Sequence, residues 1–308
     1  MAEEAEQVRT LRARSAEVVP LMRSGYLSRH SHLPDATAPE YLLCLAEGAR
    51  KMKVVIFCGG FGTRLREHSD TIPKPLVDIG YRPILWHLMK YYAHYGHKEF
   101  ILCLGYRADL IKEYFLNYKP YLSEDVVIRP GGKLSPEKSD IEDWRIHLVD
   151  TGMNTNIGGR LMAVRELIGS DEMFLANYGD GLSDLPLDTH IERFRESNAV
   201  ATFVAVQPSQ QSYHTVRSND NGLVAEIVPM ASSDLWINGG FMVLRKEVFD
   251  YMRPGEELVE EPFQRMVAEQ KLAVLKYSGF WKAMDTFKDK VAFDRMNDSG
   301  DRPWEVWR

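Results

Sequence analysis

Two short stretches of this chain carry residue types suited to holding phosphate: Gly59-Gly60-Phe61-Gly62-Thr63-Arg64 and, with its lysine ten residues past Arg64, Pro73-Lys74-Pro75. Glycines lack a Cβ, so backbone amides can approach a ligand closely, and amides presented in this way form anion-binding concavities. Arg64 adds a planar fork of donors. Lys74 sits between two prolines that fix the backbone around it, which suits its ammonium to stabilising charge on a transferring phosphoryl group. Each feature has a plainer reading too: a strand-to-helix turn for the glycines, an exposed loop charge for Lys74. The glycine spacing does not fit the dinucleotide fingerprint, and no Gly-Lys-Ser/Thr follows to make a P-loop. A second polar glycine turn, Tyr178-Gly179-Asp180-Gly181, places a carboxylate between two glycines.

These turns need elements to position them. Lys53-Val54-Val55-Ile56-Phe57 is a β-branched run leading straight into the first turn, and it reads as a strand buried on both faces. The pattern predicts helices over 83–95, 107–118 and 187–197, with Pro83 in a favoured first-turn position. It predicts strands over 99–104, 172–177 and 199–206, and further short strands after His214, over 236–244 and over 272–277. Alternating strands and helices imply a doubly wound α/β fold with a mainly parallel sheet, the later strands forming a small additional β subregion. In such a sheet ligands bind beyond the carboxyl ends of the strands, where both glycine turns fall. Residues 1–52 read as a separate extension with a helical segment, an irregular Ser-, His- and Pro-rich strap and a second short helix. It would be a packing arm, a partner-binding segment or a feature of the gene start. Residues 53–308 make up the main domain.

The chain of 308 residues, with 44% hydrophobic and 27% charged residues, has the balance of a soluble globular protein. Its formal charge of −6 comes from mixed acidic and basic residues without a basic block, so no nucleic-acid partner is expected. A phosphate site must therefore be built locally. Cys44, Cys58 and Cys103 show neither paired nor metal-ligand spacing and read as reduced thiols. No apolar run approaches the ~18 residues that span a bilayer, and the acidic N-terminus lacks a signal-peptide core. The expectation is a cytoplasmic protein with no membrane partner.

Gly59-Gly60-Phe61-Gly62-Thr63-Arg64-Leu65 followed by Pro73-Lys74-Pro75-Leu76 resembles the signature of sugar-1-phosphate nucleotidyltransferases, nearest to their glucose-1-phosphate cytidylyltransferase (CDP-glucose pyrophosphorylase) branch. Further matches are Pro83-Ile84-Leu85-Trp86-His87, Gly105-Tyr106, Val149-Asp150-Thr151-Gly152, Gly158-Gly159-Arg160-Leu161, Tyr178-Gly179-Asp180-Gly181, Ile237-Asn238-Gly239-Gly240-Phe241, Gly279-Phe280-Trp281 and Met284-Asp285-Thr286. They run in the family's order over nearly all of 53–308. The resemblance implies a Rossmann-like nucleotidyltransferase fold in which Gly59, Gly60, Gly62 and Thr63 cradle the triphosphate and Arg64 neutralises it. It implies that Lys74 contacts the α-phosphate and the incoming sugar phosphate, and that Gly158, Gly159 and Arg160 line the base and ribose pocket. Asp180 and Asp285 would hold Mg²⁺, which commonly takes one or two protein carboxylates plus phosphate oxygens. Read by itself, Asp285 also suits a helix N-cap before 286–296. Asn238, Gly239 and Gly240 would contact the sugar, with Trp281 on a sugar face or in the core. The acceptor phosphate is already an anionic nucleophile, so in-line attack on the α-phosphorus requires no general base. CTP and glucose 1-phosphate, or a related sugar phosphate, are the expected substrates.

The match departs from the family at three places. Val228 stands where a lysine that grips the sugar phosphate is usual; Tyr213-His214-Thr215 replaces a common Phe-Gly pair; and Ile157 replaces a threonine. Losing a cation beside a phosphate weakens acceptor binding. Another triphosphate, an unusual phosphorylated acceptor, or an inactive binding homologue are the alternatives, and retention of Arg64, Lys74, Asp180 and Asp285 argues against the last. Homologous enzymes are often oligomeric, and the chain is a possible homo-oligomer.

Overall fold

Strand β1 (Lys53–Cys58) is buried along nearly its whole length because sheet neighbours flank it on both sides. The computed structural model describes residues 51–60, 72–128, 130, 134–136, 139–208 and 214–308. The extension before residue 51 lies outside these, as do Cys44 and Tyr213. From β1 the chain runs through α1 (Ile84–His94), β2 (Glu99–Leu104), α2 (Ala108–Leu116), β3 (Arg145–Asp150), α3 (Ile157–Ala163) and β4 (Met173–Tyr178). It continues through α4 (Leu187–Glu196), β5 (Ala201–Val206), β6 (Ile237–Asn238), β7 (Met242–Arg245), α5 (Glu261–Ala268), β8 (Leu272–Tyr277) and α6 (Phe287–Ser299).

The eight strands form one sheet in the order β3-β2-β1-β4-β7-β5-β8, with β6 also paired to β5. β8 runs along the whole of β5, so β6 and β7 share the opposite edge of that strand. The pairs β1–β2, β1–β4, β2–β3 and β5–β8 are parallel, whereas β6 and β7 run against their neighbours. The expected mainly parallel, doubly wound sheet is present. Alternate residues of β1 supply its two cores. Val54 and Ile56 pack with Leu88 and Tyr91 of α1 and Phe293 of α6. Val55 and Phe57 pack with Leu161 of α3 and with Phe263 and Met266 of α5. This two-sided burial places the β1 and β4 strand ends in the middle of the sheet, where ligands are usually bound.

The strand expected over 236–244 is interrupted. β6 ends at Asn238 and β7 starts at Met242, because Gly240 (φ +77°) and Phe241 (φ +48°) adopt left-handed backbone. Extended pairing cannot pass through residues in that conformation. Smaller two-stranded pairings lie outside the main sheet. His214–Ser218 pairs with Val224–Pro229, and Gly181–Ser183 with Trp281–Ala283.

Candidate active site

The last pairing builds the centre of the site. Gly181 opposes Ala283, and the amide of Met284 donates to the carbonyl of Asp180 at 2.9 Å. Asp285 is thereby brought beside Asp180, more than a hundred residues away in sequence. Lys74 arrives from a 3₁₀ turn (Lys74–Leu76) anchored by buried Pro75. Its Nζ lies 2.5 Å from Asp180 Oδ2 and 2.7 Å from Asp285 Oδ1. Burial pulls the Lys74 pKa down, but the two carboxylates outweigh that and it ends above its ordinary value. The lysine is a cation at any physiological pH. Two carboxylates against one ammonium leave the cluster formally anionic. Thr286 caps α6 through its side chain and a reciprocal bond with Asp289, so the cap does not consume the Asp285 carboxylate.

A cavity of about 260 Å³ opens over this cluster, lined also by Gly59, Gly60, Ile157 and Tyr178. A second, of about 280 Å³, shares Gly59, Gly60 and Ile157 and extends toward Asn154, Thr155 and Glu257. The turn after β1 thus divides a two-lobed cleft. A Cβ on Gly60 would meet nothing within 4 Å among the described residues. A Cβ on Gly59 would fall 2.0 Å from the Arg160 guanidinium carbon, so a side chain there would push the Arg160 fork out of place.

Arg160 is 3% exposed and directs its fork inward. Nη1 donates to the Leu104 carbonyl (2.8 Å) and Thr151 Oγ1 (2.7 Å), and Nη2 to the carbonyls of Gly59 (3.0 Å) and Met153 (3.3 Å). One guanidinium therefore ties together the carboxyl ends of β1, β2 and β3. Gly158 and Gly159 open α3, where the Asn156 side chain caps the Gly159 amide at 2.8 Å and Gly158 packs against the Glu256 backbone.

On the other side, Asn238 donates from Nδ2 to the Tyr178 hydroxyl (3.3 Å), and its Oδ1 accepts from the Gly240 amide (2.9 Å). The Trp281 indole donates to the Gly239 carbonyl at 2.8 Å. Val228 lies half-buried opposite Thr215 in the projecting hairpin and supplies no charge.

The structure thus gathers Gly59, Gly60, Lys74, Asp180 and Asp285 around one cavity. Asn238, Gly239, Gly240 and Trp281 form a linked turn connected to that cavity through Tyr178. Gly158, Gly159 and Arg160 line or support the second lobe. Gly62, Thr63 and Arg64 lie outside the described residues. Tyr178 was visible in its motif, but nothing in the sequence marked it as the link between the two sides.

Residues 53–289 match the family model for nucleotidyl transferases. The chain belongs to the nucleotidyl transferase family. A protein of Bacillus subtilis named "Probable glucose-1-phosphate cytidylyltransferase" is 40% identical over 258 residues, spanning 83% of this chain and all of that one. A glucose-1-phosphate cytidylyltransferase of Salmonella typhimurium is 38% identical over 259 residues, spanning 83% of this chain and again all of the relative. Among solved structures, a UDP-glucose pyrophosphorylase complexed with UDP-glucose superposes with a TM-score of 0.59 at 14% identity, covering 82% of this nucleotidyltransferase and 99% of that chain. HddC from Yersinia pseudotuberculosis superposes with a TM-score of 0.56 at 21% identity, covering 79% and 98%. These two likenesses carry the fold.

Asp180 and Asp285 converge on a single point now held by the Lys74 ammonium. Paired carboxylate oxygens are the hard donors that Mg²⁺ takes, with phosphate and water completing its shell. The residues present therefore fit a divalent cation. Among the described residues no group of three or more His, Cys, Asp or Glu side chains forms a separate metal site.

Proposed function

We propose that this nucleotidyltransferase joins the cytidylyl group of CTP to glucose 1-phosphate or a closely related sugar 1-phosphate and releases pyrophosphate. The convergence of Lys74, Asp180 and Asp285 beside the Gly59–Gly60 turn carries this reading. The two cytidylyltransferase relatives, matched along their whole length, support the choice of base and sugar. An oxygen of the acceptor phosphate forms the new bond to the α-phosphorus. The bond from that phosphorus to the bridging oxygen breaks, and the leaving pyrophosphate keeps the electron pair.

Asp180 and Asp285 would hold Mg²⁺, which when bound neutralises phosphate charge. Lys74 then has to exchange its carboxylate partners for phosphate oxygens, and its fixed turn keeps it within reach. Gly60 presents backbone to the triphosphate; Gly62, Thr63 and Arg64 are proposed to complete that cradle. Arg160 acts by holding the floor of the nucleotide lobe, with Gly158 and Gly159 packed beside it. Asn238, Gly239, Gly240 and Trp281 form the acceptor side. The family match beginning at Lys53 supports treating 53–308 as the catalytic domain and 1–52 as an extension. No helix among the described residues is long and apolar enough to cross a membrane, and we assign the enzyme to the cytoplasm.

Pyrophosphate release with Mg²⁺ and glucose 1-phosphate, using CTP beside UTP, dTTP, GTP and ATP, tests the assignment. CTP-selective release that disappears on chelation is expected. Val228 favours one second reading, a different phosphorylated acceptor. Release with another sugar phosphate but not glucose 1-phosphate would establish it.

A further inference from the structure

The break between β6 and β7 places a bulky side chain where the backbone resists it. Phe241 has φ +48°, a region that only small or flexible residues adopt easily. Non-glycine residues persist there when their surroundings over-determine the conformation. Here they do. The Phe241 amide donates to Asn177 Oδ1 at 3.0 Å, and the His190 imidazole Nε2–H donates to the Phe241 carbonyl at 3.0 Å. The carbonyl can only accept, which fixes the histidine tautomer. Both clamping side chains are 1% exposed. The Phe241 ring is locked between Tyr91, edge-on at 5.4 Å, and Tyr92, stacked at 6.2 Å.

The clamp reaches further than one residue. Asn177 Oδ1 also accepts from the Tyr178 amide at 2.9 Å, and it lies 2.2 Å from where a Cβ on Gly240 would stand. Asn177 sits on β4, three residues before Asp180, while His190 sits on α4. On the far side the Gly239 amide and the Gly240 carbonyl pair with the Val204 backbone at 2.8 and 2.9 Å. The turn is therefore held from β4, α4 and β5 at once. Without the two side chains the Phe241 amide and carbonyl lose these partners, and the Val204 pairing and the ring packing are left to oppose a rotation of Phe241 toward extended backbone. That rotation would change the direction of Asn238, whose Oδ1 is bonded to the Gly240 amide.

We propose that Asn177 and His190 are positioning residues that clamp Phe241 in its left-handed conformation and thereby aim the turn 238–240 at the acceptor substrate. Neither side chain lines the cavity over Lys74. Burial lowers the His190 pKa to about 4, opposed by its bond to Phe241, so the ring is neutral at physiological pH. The proposal rests on the reading of 238–240 as the acceptor side of the cleft.

The test is steady-state pyrophosphate release in His190→Leu, His190→Gln, Asn177→Ala, Asn177→Asp and Asn238→Ala, with separate KM values for CTP and glucose 1-phosphate. Sub-ångström to ångström misplacement of a substrate-holding group typically changes kinetics by about tenfold to a hundredfold. His190→Leu and Asn177→Ala are expected to raise the KM for the sugar phosphate by about tenfold while the KM for CTP stays within about twofold. His190→Gln keeps a donor and Asn177→Asp keeps the accepting oxygen, so both should recover most of the loss. Two results would overturn the clamp: an unchanged sugar-phosphate KM in folded His190→Leu and Asn177→Ala while Asn238→Ala raises it, or a parallel rise of both KM values. An unchanged KM in Asn238→Ala removes the acceptor reading itself, and the clamp's role with it. If His190→Leu does not fold, the Asn177 pair makes the same comparison from the other end of the turn.

Discussion

On the side of the cleft we propose for the nucleotide, a buried cation holds the ends of three parallel strands, whereas on the proposed acceptor side the braces are neutral and act on strained backbone. Arg160 directs its charge at four oxygens from Gly59, Leu104, Thr151 and Met153, and among the described residues no carboxylate forms an ion pair with it. Asn177 and His190 instead hold the amide and carbonyl of one residue. The contrast follows from where each turn stands. Beyond parallel strands the terminal carbonyls crowd together and attract a multidentate donor. A strand that reverses its local backbone must have each displaced group paired individually. Between the two sides lies the charged cluster that both serve.

The largest effect should come from breaking that shared centre. Asp180→Ala is expected to lower turnover by about a thousandfold or more, since preorganised charge at a site of phosphoryl transfer usually supplies most of the rate enhancement. Pyrophosphate release in the presence of Mg²⁺ reads this, and an unimpaired variant would remove Asp180 from the metal site.

A pH change strains the neutral side, where His190 is one of three buried histidines that share the same shift. Burial lowers the pKa of His87, His97 and His190 from 6.5 to about 4 in each case. The unfolded chain takes up these protons below about pH 6.5, while the folded chain refuses them until about pH 4. Stability should therefore fall as the pH drops through that window. Between pH 7 and pH 5 the three together should lose about 5 kcal/mol. Urea midpoints at the two pH values check this. A flat profile would mean that the folded chain takes up these protons as readily as the unfolded one.

Arg160→Met asks whether the cationic brace belongs to the nucleotide side alone. It removes the Arg160 donor from the buried Gly59 carbonyl and from Met153, while the Leu104 carbonyl keeps the Thr151 amide and hydroxyl, and about 3 kcal/mol of stability should be lost by urea denaturation. The KM for CTP should rise more than that for the sugar phosphate, and the reverse order would merge the two sides. Gly240→Ala is a smaller blow to the acceptor side. Its Cβ would collide with Asn177 Oδ1 at positive φ, for a loss of about 2 kcal/mol. Trp281→Phe removes one hydrogen bond to Gly239. A loss of about 1 kcal/mol is expected, with the sugar-phosphate KM rising a few-fold.

Several parts of this architecture were readable directly. The β-branched run at 53–57, the glycine turn after it and strands 99–104 and 272–277 follow from composition and period. Strand β3 escaped notice because Arg145–Asp150 is only half-buried at the sheet edge, so its side chains alternate weakly. Helix α5 is eight residues long, too short to declare a period clearly. Gly239-Gly240-Phe241 lay inside an apparently continuous strand, since a phenylalanine gives no sign of left-handed backbone. Asn177 and His190 look like an ordinary strand residue and an ordinary helix residue, because their roles depend on a partner more than fifty positions away.

By itself the sequence determined the strongly patterned strands and helices, the order of the glycine-rich motifs and hence the family, because these depend on residue type and spacing within a few turns of chain. The tertiary structure alone decided that Lys74, Asp180 and Asp285 meet, that Arg160 faces inward, and that Thr286 and not Asp285 caps the last helix. Those outcomes rest on pairings such as Gly181–Ser183 with Trp281–Ala283. Hydrogen bonds across so long a stretch of chain form only when the packed sheet brings their partners together, and no local pattern encodes that distance.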